Sequence, residues 1–529
     1  MGRRTSSPAQ IELGDFQTPP GLAAEVCRVL AARGVRPQSI VEPTCGTGSL
    51  LCAALDAFPA AGHAMGADIR ADHIRASRAA LGARCEDRQV ALLVRDFFAT
   101  DWPALIAGLS GPILFVGNPP WVTSSDLGAL GSGNLPEKQN FHRRTGLDAL
   151  TGKSNFDLSE WMLLKLLGWL AGREAVVAML CKAAVARRAL AFSWQAGVAI
   201  RSAATYAIDA AAHFGAAVEA CLLVCELGQA GESRCLAYDG LGAQVPSGAF
   251  GLRDGRLVAD VAAYDRWRGL EGESPYRWRS GIKHDCARVM ELRGDGDELV
   301  NGDDERVRIE DDWLYPMLKS SEVAREGPVA PVRRMLVTQA RVGEDTRRLE
   351  REAPRTWRYL MRHRERFERR ASAIYRGKPA FSIFGVGDYT FAPWKVAISG
   401  LYKRLAFRVV GPHEGKPVVF DDTCYFVSCG SEAEARLVWS LVSSEPATEL
   451  FESLVFWDAK RPITTELLGR LDLRRVAQVL GKDAELARFC AASPAANSGA
   501  PGAPGCDEPA PPPGPRGPRA RAHRSRPAT

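Results

Sequence analysis

Asn118, Pro119, Pro120 and Trp121 follow an apolar run directly, in FVGNPPWVT (115–123). Proline locks its own backbone and pushes the residue before it out of the helical region. The Asn118 amide oxygen and the Pro119 carbonyl can therefore be held side by side. Two such acceptors suit an NH2 group on an aromatic ring, and Trp121 offers a flat face on which a base can stack. The bland alternative is a rigid strand-to-loop turn. Upstream, VEPTCGTGSL (41–50) ends a strand at Glu42 and turns on glycines into a helix. The glycines let the backbone approach a ligand closely. The stretch lacks the third glycine of the G-x-G-x-x-G fingerprint, and a carboxylate before the turn suits a cationic amine better than a pyrophosphate. Asp68 ends the next strand about 20 positions on, where an acid can hold ribose hydroxyls. In VRDFF (94–98), Asp96 can accept from the exocyclic amine of an adenine, with Phe97 near its ring. Each Asp alone reads as a turn residue; their order and spacing join them.

The elements that must position these residues alternate from about residue 36 to 227. SIVEP, HAMGADI, VALLVRDFF, PILFVGN, EAVVAML, TYAIDAAA and EACLLVCEL read as strands. GSLLCAALDAF, ADHIRASRAAL, LSEWMLLKLLGWLA and KAAVARRALAFSW read as helices. Short apolar runs fit strands buried on both faces, as in a parallel sheet covered by helices. The alternation predicts a doubly wound α/β domain. Residues 131–157 form a long, Gly-rich, basic loop containing Lys138, His142, Arg143, Arg144 and Lys153. After about residue 229 the pattern changes to a separate α+β domain. From 492 to 529 the chain is Pro/Gly/Arg-rich and cannot bury enough surface to offset its ordering entropy, so a disordered tail is expected.

Apolar residues are 46% of the 529 and charged residues 25%, which predicts folded cores rather than disorder. The net charge of +6 permits a polyanionic partner without requiring one. No apolar run approaches the roughly 18–20 residues of a membrane span. The 13 cysteines show neither a C-x-x-C pair nor zinc spacing, so no metal site and reduced thiols are expected.

GDFQTPPGLA (14–23), EPTCGTG (42–48), GADI (66–69), RDFF (95–98) and GNPPW (117–121), in that order, resemble S-adenosylmethionine-dependent adenine-N6 DNA methyltransferases. The similarity is to the gamma class (TaqI type) of restriction–modification systems, over roughly 14–226. It implies a Rossmann-like catalytic domain at 14–228, after a flexible N-terminus at 1–13, and a target-recognition domain at 229–485. It assigns Phe16, Thr18 and Pro19 to the segment over the methionine part of the cofactor. Glu42, Thr44, Gly46 and Gly48 match the cofactor loop, Asp68 the ribose acid, and Asp96 with Phe97 the adenine pair. Asn118, Pro119, Pro120 and Trp121 match the catalytic tetrad, with Trp where many relatives have Tyr. Phe214, in HFGAAVEACLLV, matches a residue packing on the flipped base, or is a core Phe. Lys182 stands where the family often has a Lys after a strand and receives no role.

The resemblance implies S-adenosylmethionine as donor, double-stranded DNA as acceptor and a flipped adenine as target. It also implies no metal, a bacterial cytoplasmic location and a monomer. No room precedes Phe16 for a fused nuclease, so any cognate endonuclease is expected to be a separate protein. RNA or protein-glutamine methylation is an alternative, as is N4-cytosine DNA methylation, which usually goes with Ser in place of Asn118. The arginine-dense stretch 341–378 has two readings: phosphate and guanine contacts, or a salt-bridged solvent face. Residues 378–404 are the next candidate for DNA contact.

Overall fold

The structure, a computed structural model, describes residues 16–85, 88–122, 157–295, 298–327, 330–459 and 461–492. The N-terminus 1–13, the 131–157 loop up to Asp157 and the tail beyond 492 lie outside them. The chain divides into two compact units, 1–268 with 449–459, and 269–448 with 460–529.

In the first unit the apolar runs become β1 (Ser39–Glu42), β2 (His63–Asp68), β3 (Gln89–Val94), β4 (Ile113–Gly117) and β5 (Ala175–Lys182). They are followed by β6 (Ile200–Ile208), β7 (Ala220–Leu227), β8 (Arg234–Tyr238), β9 (Gly248–Arg253) and β10 (Arg256–Val258). One sheet holds all ten in the order β10-β9-β8-β6-β7-β5-β4-β1-β2-β3. β1 to β5 pair in parallel. Strands rich in apolar residues at every position are covered on both faces. Val41, Phe115, Val177 and Met179 pack into one core layer. Their neighbours Ile40, Leu114, Val116 and Ala178 pack into the other. Each fully buried aliphatic side chain contributes about 1.5–3 kcal/mol. The chain runs outward through β1, β2 and β3, then starts again at β4 on the other side of β1. That reversal opens a crevice at the carboxyl ends of β1 and β4, where Glu42 and Asn118 sit.

Three expectations are corrected. The sheet is mixed, because β7 runs antiparallel to both β5 and β6. The link from β6 holds only the short helix Ala210–Phe214, and a parallel crossover takes about a dozen residues or more. TYAIDAAA is not one strand: β6 stops at Ile208, and the Asp209 side chain accepts from Ala212 N (2.9 Å) to start that helix. The first unit also does not end at 228. β8 pairs in parallel with β6, and β9 pairs with β8, which keeps the chain in this sheet beyond residue 250.

The second unit has a four-stranded sheet containing Trp394–Ser399 and Cys424–Cys429, and a six-stranded sheet containing Val419–Phe420. PVVFDDTCYFVSC is thus two strands in two sheets. The turn between them is fixed by Asp421, whose carboxylate accepts from Thr423 N (3.2 Å) and Thr423 Oγ1 (2.6 Å). The arginine-dense stretch is three short helices, Arg348–Glu352, Pro354–Arg362 and Arg364–Glu368. Pro354 forces the first break, since it has no N–H to continue a helix.

Candidate active site

A cleft at the carboxyl ends of β1, β2 and β4 brings together Phe16, Thr18, Glu42, Thr44, Gly46 and Asp68, with Asp96, Phe97, Asn118 and Pro120. Residues far apart in sequence meet here because each closes or follows a neighbouring strand. Pro19, Gly48, Pro119, Trp121 and Phe214 are not among the residues that line it. The Pro19 carbonyl accepts from Ala23 N (3.0 Å) at the start of helix α1 (Pro20–Ala32).

Asn118 Nδ2 donates to the Phe16 carbonyl (2.9 Å). That bond fixes which way the amide points, and Asn118 Oδ1 is left buried without a partner among the described residues. Buried polar atoms are nearly always satisfied, so an orphan acceptor in a cleft calls for a donor from a ligand. The N-terminal segment thus aims the amide as well as lining the cleft.

The glycine turn is set by backbone geometry. Gly46 and Gly48 take φ of +50° and +87°. A Cβ on Gly48 would lie 2.5 Å from Ser77 Oγ. Gln17 Oε1 accepts from Thr47 N (2.9 Å) and Thr47 Oγ1 (3.0 Å), joining the turn to the N-terminal segment. Glu42 is 3% exposed, and its Oε2, like Thr44 Oγ1, has no partner among the described residues. Burial pushes the Glu42 carboxyl well above its ordinary range, against a hydrogen bond from the Leu51 backbone, with Asp68 adding repulsion. Asp68 Oδ2 accepts from Gly46 N (3.0 Å), and Oδ1 accepts from Arg70 N (2.9 Å) and lies 3.2 Å from His73 Nδ1.

Asp96 is exposed and accepts from Phe98 N (2.8 Å). Phe97 lines the cleft but is buried in the core, 5.6 Å from both Trp102 and Trp169 between ring centroids. Trp121 is 6% exposed, and its Nε1 donates to the Leu180 carbonyl (3.2 Å). Its ring lies 5.1 Å from Phe214 and 6.3 Å from Phe16, so the expected open stacking face is covered by aromatic neighbours. Phe214 packs against the core cluster as a half-buried residue.

Sequence reading missed Gln17, Ile69 and His73, which also line the cleft. Ile69 is a signal that could have been used: it directly follows Asp68 and is 47% exposed, a large apolar side chain left open at a strand end. Among the described residues no group of His, Cys, Asp and Glu could hold a metal ion, and no helix is long and apolar enough to cross a membrane.

In the second unit most arginines of the dense stretch are paired. Arg348 meets Glu344 (2.6 Å), Arg355 meets Glu310 (3.1 Å), Arg364 meets Glu368 (2.7 Å) and Arg369 meets Glu365 (3.1 Å). Arg358 is exposed with no carboxylate partner among the described residues; its Nε donates to the Pro354 carbonyl (3.3 Å). In 378–404, Phe381 and Ile383 are core. Lys395 is buried and donates to the Ala392 carbonyl (2.6 Å), and burial pulls its pKa down to about 7.

No protein-family profile matches the chain. Among solved structures it is similar to the type IIL restriction-modification enzyme MmeI in complex with DNA, at TM-score 0.48 and 14% identity, covering 87% of this chain and 65% of that one. It is also similar to the type IIG restriction endonuclease BpuSI, at TM-score 0.37 and 15% identity, covering 89% and 59%. No functional conclusion rests on likenesses this distant. The similarity to the type II methyltransferase M.NspV of Nostoc sp. is of another order: 43% identity over 476 residues, 89% of this chain and 98% of the relative. A match of that length takes in both units, and the chain belongs to the type II methyltransferases.

Proposed function

We propose that the chain transfers a methyl group from S-adenosylmethionine to the N6 amine of an adenine flipped out of double-stranded DNA, as the modification enzyme of a restriction–modification system. The observation that carries this reading is Asn118 Oδ1, a buried acceptor without a partner among the described residues, whose amide is aimed by the Phe16 carbonyl. The unit beyond residue 268 is the proposed target-recognition part.

The cleft fits the cofactor. Two orphan oxygens, Glu42 Oε2 and Thr44 Oγ1, lie on the turn, and the glycines leave backbone room beside them. Glu42, Thr44 and the Phe16–Pro19 segment would hold the methionine part, Asp68 the ribose hydroxyls, and Asp96 with Ile69 and Phe97 the adenine. S-adenosylmethionine supplies, when bound, an electrophilic methyl on a sulfonium. The chain's own work concerns the acceptor amine. The lone pair of an adenine N6 is delocalised into the ring. Hydrogen bonds accepted by Asn118 Oδ1 and the Pro119 carbonyl would favour sp3 character there and localise it. Fixed dipoles do this without reorganising at the moment of reaction, and the prolines hold them in position. Taking the base from the duplex costs a few kcal/mol, which stacking on Trp121 partly offsets. Access to that face requires the Phe214 ring to give up its edge contact.

The test is to offer labelled S-adenosylmethionine with unmethylated duplex DNA, RNA and total protein in parallel. Label in duplex DNA is expected; label in RNA or protein alone overturns the DNA reading.

A further inference from the structure

The two prolines fix the start of the Asn118–Trp121 loop, but not where it ends. The end is held by a charged pair outside the cleft lining. Lys182, the last residue of β5, donates from Nζ to the Trp121 carbonyl (3.0 Å) and to Asp157 Oδ2 (2.7 Å). Asp157 is buried, and its other oxygen accepts from Ser159 N (3.1 Å) and from the Ser159 hydroxyl, capping helix Leu158–Trp169. The next peptide is tied as well, since Leu158 N donates to the Val122 carbonyl (2.9 Å). One ammonium thus joins three elements: the last carbonyl of the tetrad, the end of β5 and the cap of a core helix.

A buried carboxylate is costly unless paired, and the helix cap uses only one Asp157 oxygen. Its second oxygen is spent on Lys182. The Lys182 ammonium has three N–H donors, and it points one at a main-chain carbonyl of the loop rather than at solvent. The Trp121 side chain is anchored on the same strand two residues earlier, through Nε1 to the Leu180 carbonyl (3.2 Å). β5 therefore grips the tetrad by both the ring and the backbone of its last residue.

We infer that Lys182 and Asp157 are a positioning pair for the methyl-transfer site. They set the height of the Trp121 main chain, and through it the angle of the Pro119 carbonyl and the Asn118 amide. Neither touches substrate, and neither moves a proton. The inference rests on the amine-acceptor role proposed for Asn118. Displacement of a reacting group by about 1 Å can cost roughly 100-fold in rate, whereas a loss of ordinary loop packing costs stability alone.

The experiment compares Lys182→Met, Lys182→Arg, Asp157→Asn and the Lys182→Met/Asp157→Asn double variant. Three readouts are taken: kcat per folded molecule, the Kd for S-adenosylhomocysteine by calorimetry, and Tm. Expected is a kcat loss of about 10–100-fold for Lys182→Met, with cofactor-product affinity within about 2-fold of wild type. Lys182→Arg recovers most of the rate. The double variant is no slower than Lys182→Met, since Asp157 acts through Lys182. Asp157→Asn keeps an oxygen for the Ser159 cap, and its kcat decides the question if Lys182→Met does not fold. Unchanged kcat with a lowered Tm overturns the inference, as do multiplicative losses in the double variant. A wild type that methylates no DNA amine instead overturns the proposed function, and its product-binding data stay interpretable.

Discussion

Asn118→Ala should break catalysis without breaking the fold. The substitution removes two things of opposite sign. It deletes the Nδ2 hydrogen bond to the Phe16 carbonyl, at 2.9 Å, a loss of about 0.5–1.5 kcal/mol. It also deletes Oδ1, a buried acceptor with no partner among the described residues, whose desolvation costs about 1–3 kcal/mol when no ligand donor reaches it. The two nearly cancel, so stability should be unchanged or rise by roughly 1 kcal/mol, a Tm shift of a few degrees at most. Losing one preorganised polar group at a reacting centre costs about 100–1000-fold in kcat. The assay is steady-state methyl transfer to unmethylated duplex DNA at saturating donor, with calorimetric melting of the same preparations. A variant that melts well below wild type yet keeps its rate per folded molecule would refute the reasoning. Asn118 would then be a turn residue.

The remaining predictions concern the cleft and the arginine stretch. Burial keeps the Glu42 carboxyl protonated in the folded chain well above the value of 4.5 at which it ionises when exposed. Between those values the folded state holds one proton more than the unfolded state, so its stability falls as pH rises through that window. Glu42→Gln removes this linkage, and in donor-free melts its Tm should gain on wild type as pH rises above about 4.5; a constant difference contradicts this. Gly48→Ala should cost about 1–2 kcal/mol from the left-handed backbone alone, more with the overlap on Ser77, and weaken cofactor binding; an unchanged Tm and Kd contradicts it. Phe214→Ala removes the half-buried ring that covers Trp121 and should lower the KM for DNA while leaving the Kd for S-adenosylhomocysteine alone; equal changes in both would place Phe214 in the core only. Arg358→Ala should weaken DNA binding and lower the salt slope by about 0.9, whereas Arg369→Ala, at a residue paired with Glu365, should change it little; identical slopes would remove the distinction.

How much of this was legible in the sequence depends on what fixes each feature. Glu42, Asp68 and Asn118 were found because each ends or follows an apolar strand, and because glycine and proline announce backbone geometry directly. The two faces of β1, β4 and β5 followed from apolar residues at consecutive positions. The antiparallel course of β7 was not visible, because a run such as EACLLVCEL is equally apolar in either direction. The continuation of the sheet to β10 was missed because β8 to β10 carry polar and glycine residues typical of a sheet edge. The Arg stretch read equally well in two ways because its glutamates are interleaved; the structure pairs most of them. The cover over Trp121 comes from Phe16 and Phe214, far along the chain in either direction, and Lys182 is 61 positions from Trp121 and 25 from Asp157; no local pattern reports such contacts.

The central claim is that the amine receiving the methyl is N6 of adenine. Unmethylated duplex DNA incubated with the chain and S-adenosylmethionine, digested to nucleosides and separated by chromatography with mass detection, answers it. N6-methyldeoxyadenosine as the sole methylated nucleoside, absent with Asn118→Ala, is the predicted result. N4-methyldeoxycytidine, or full yield from Asn118→Ala, would contradict the account.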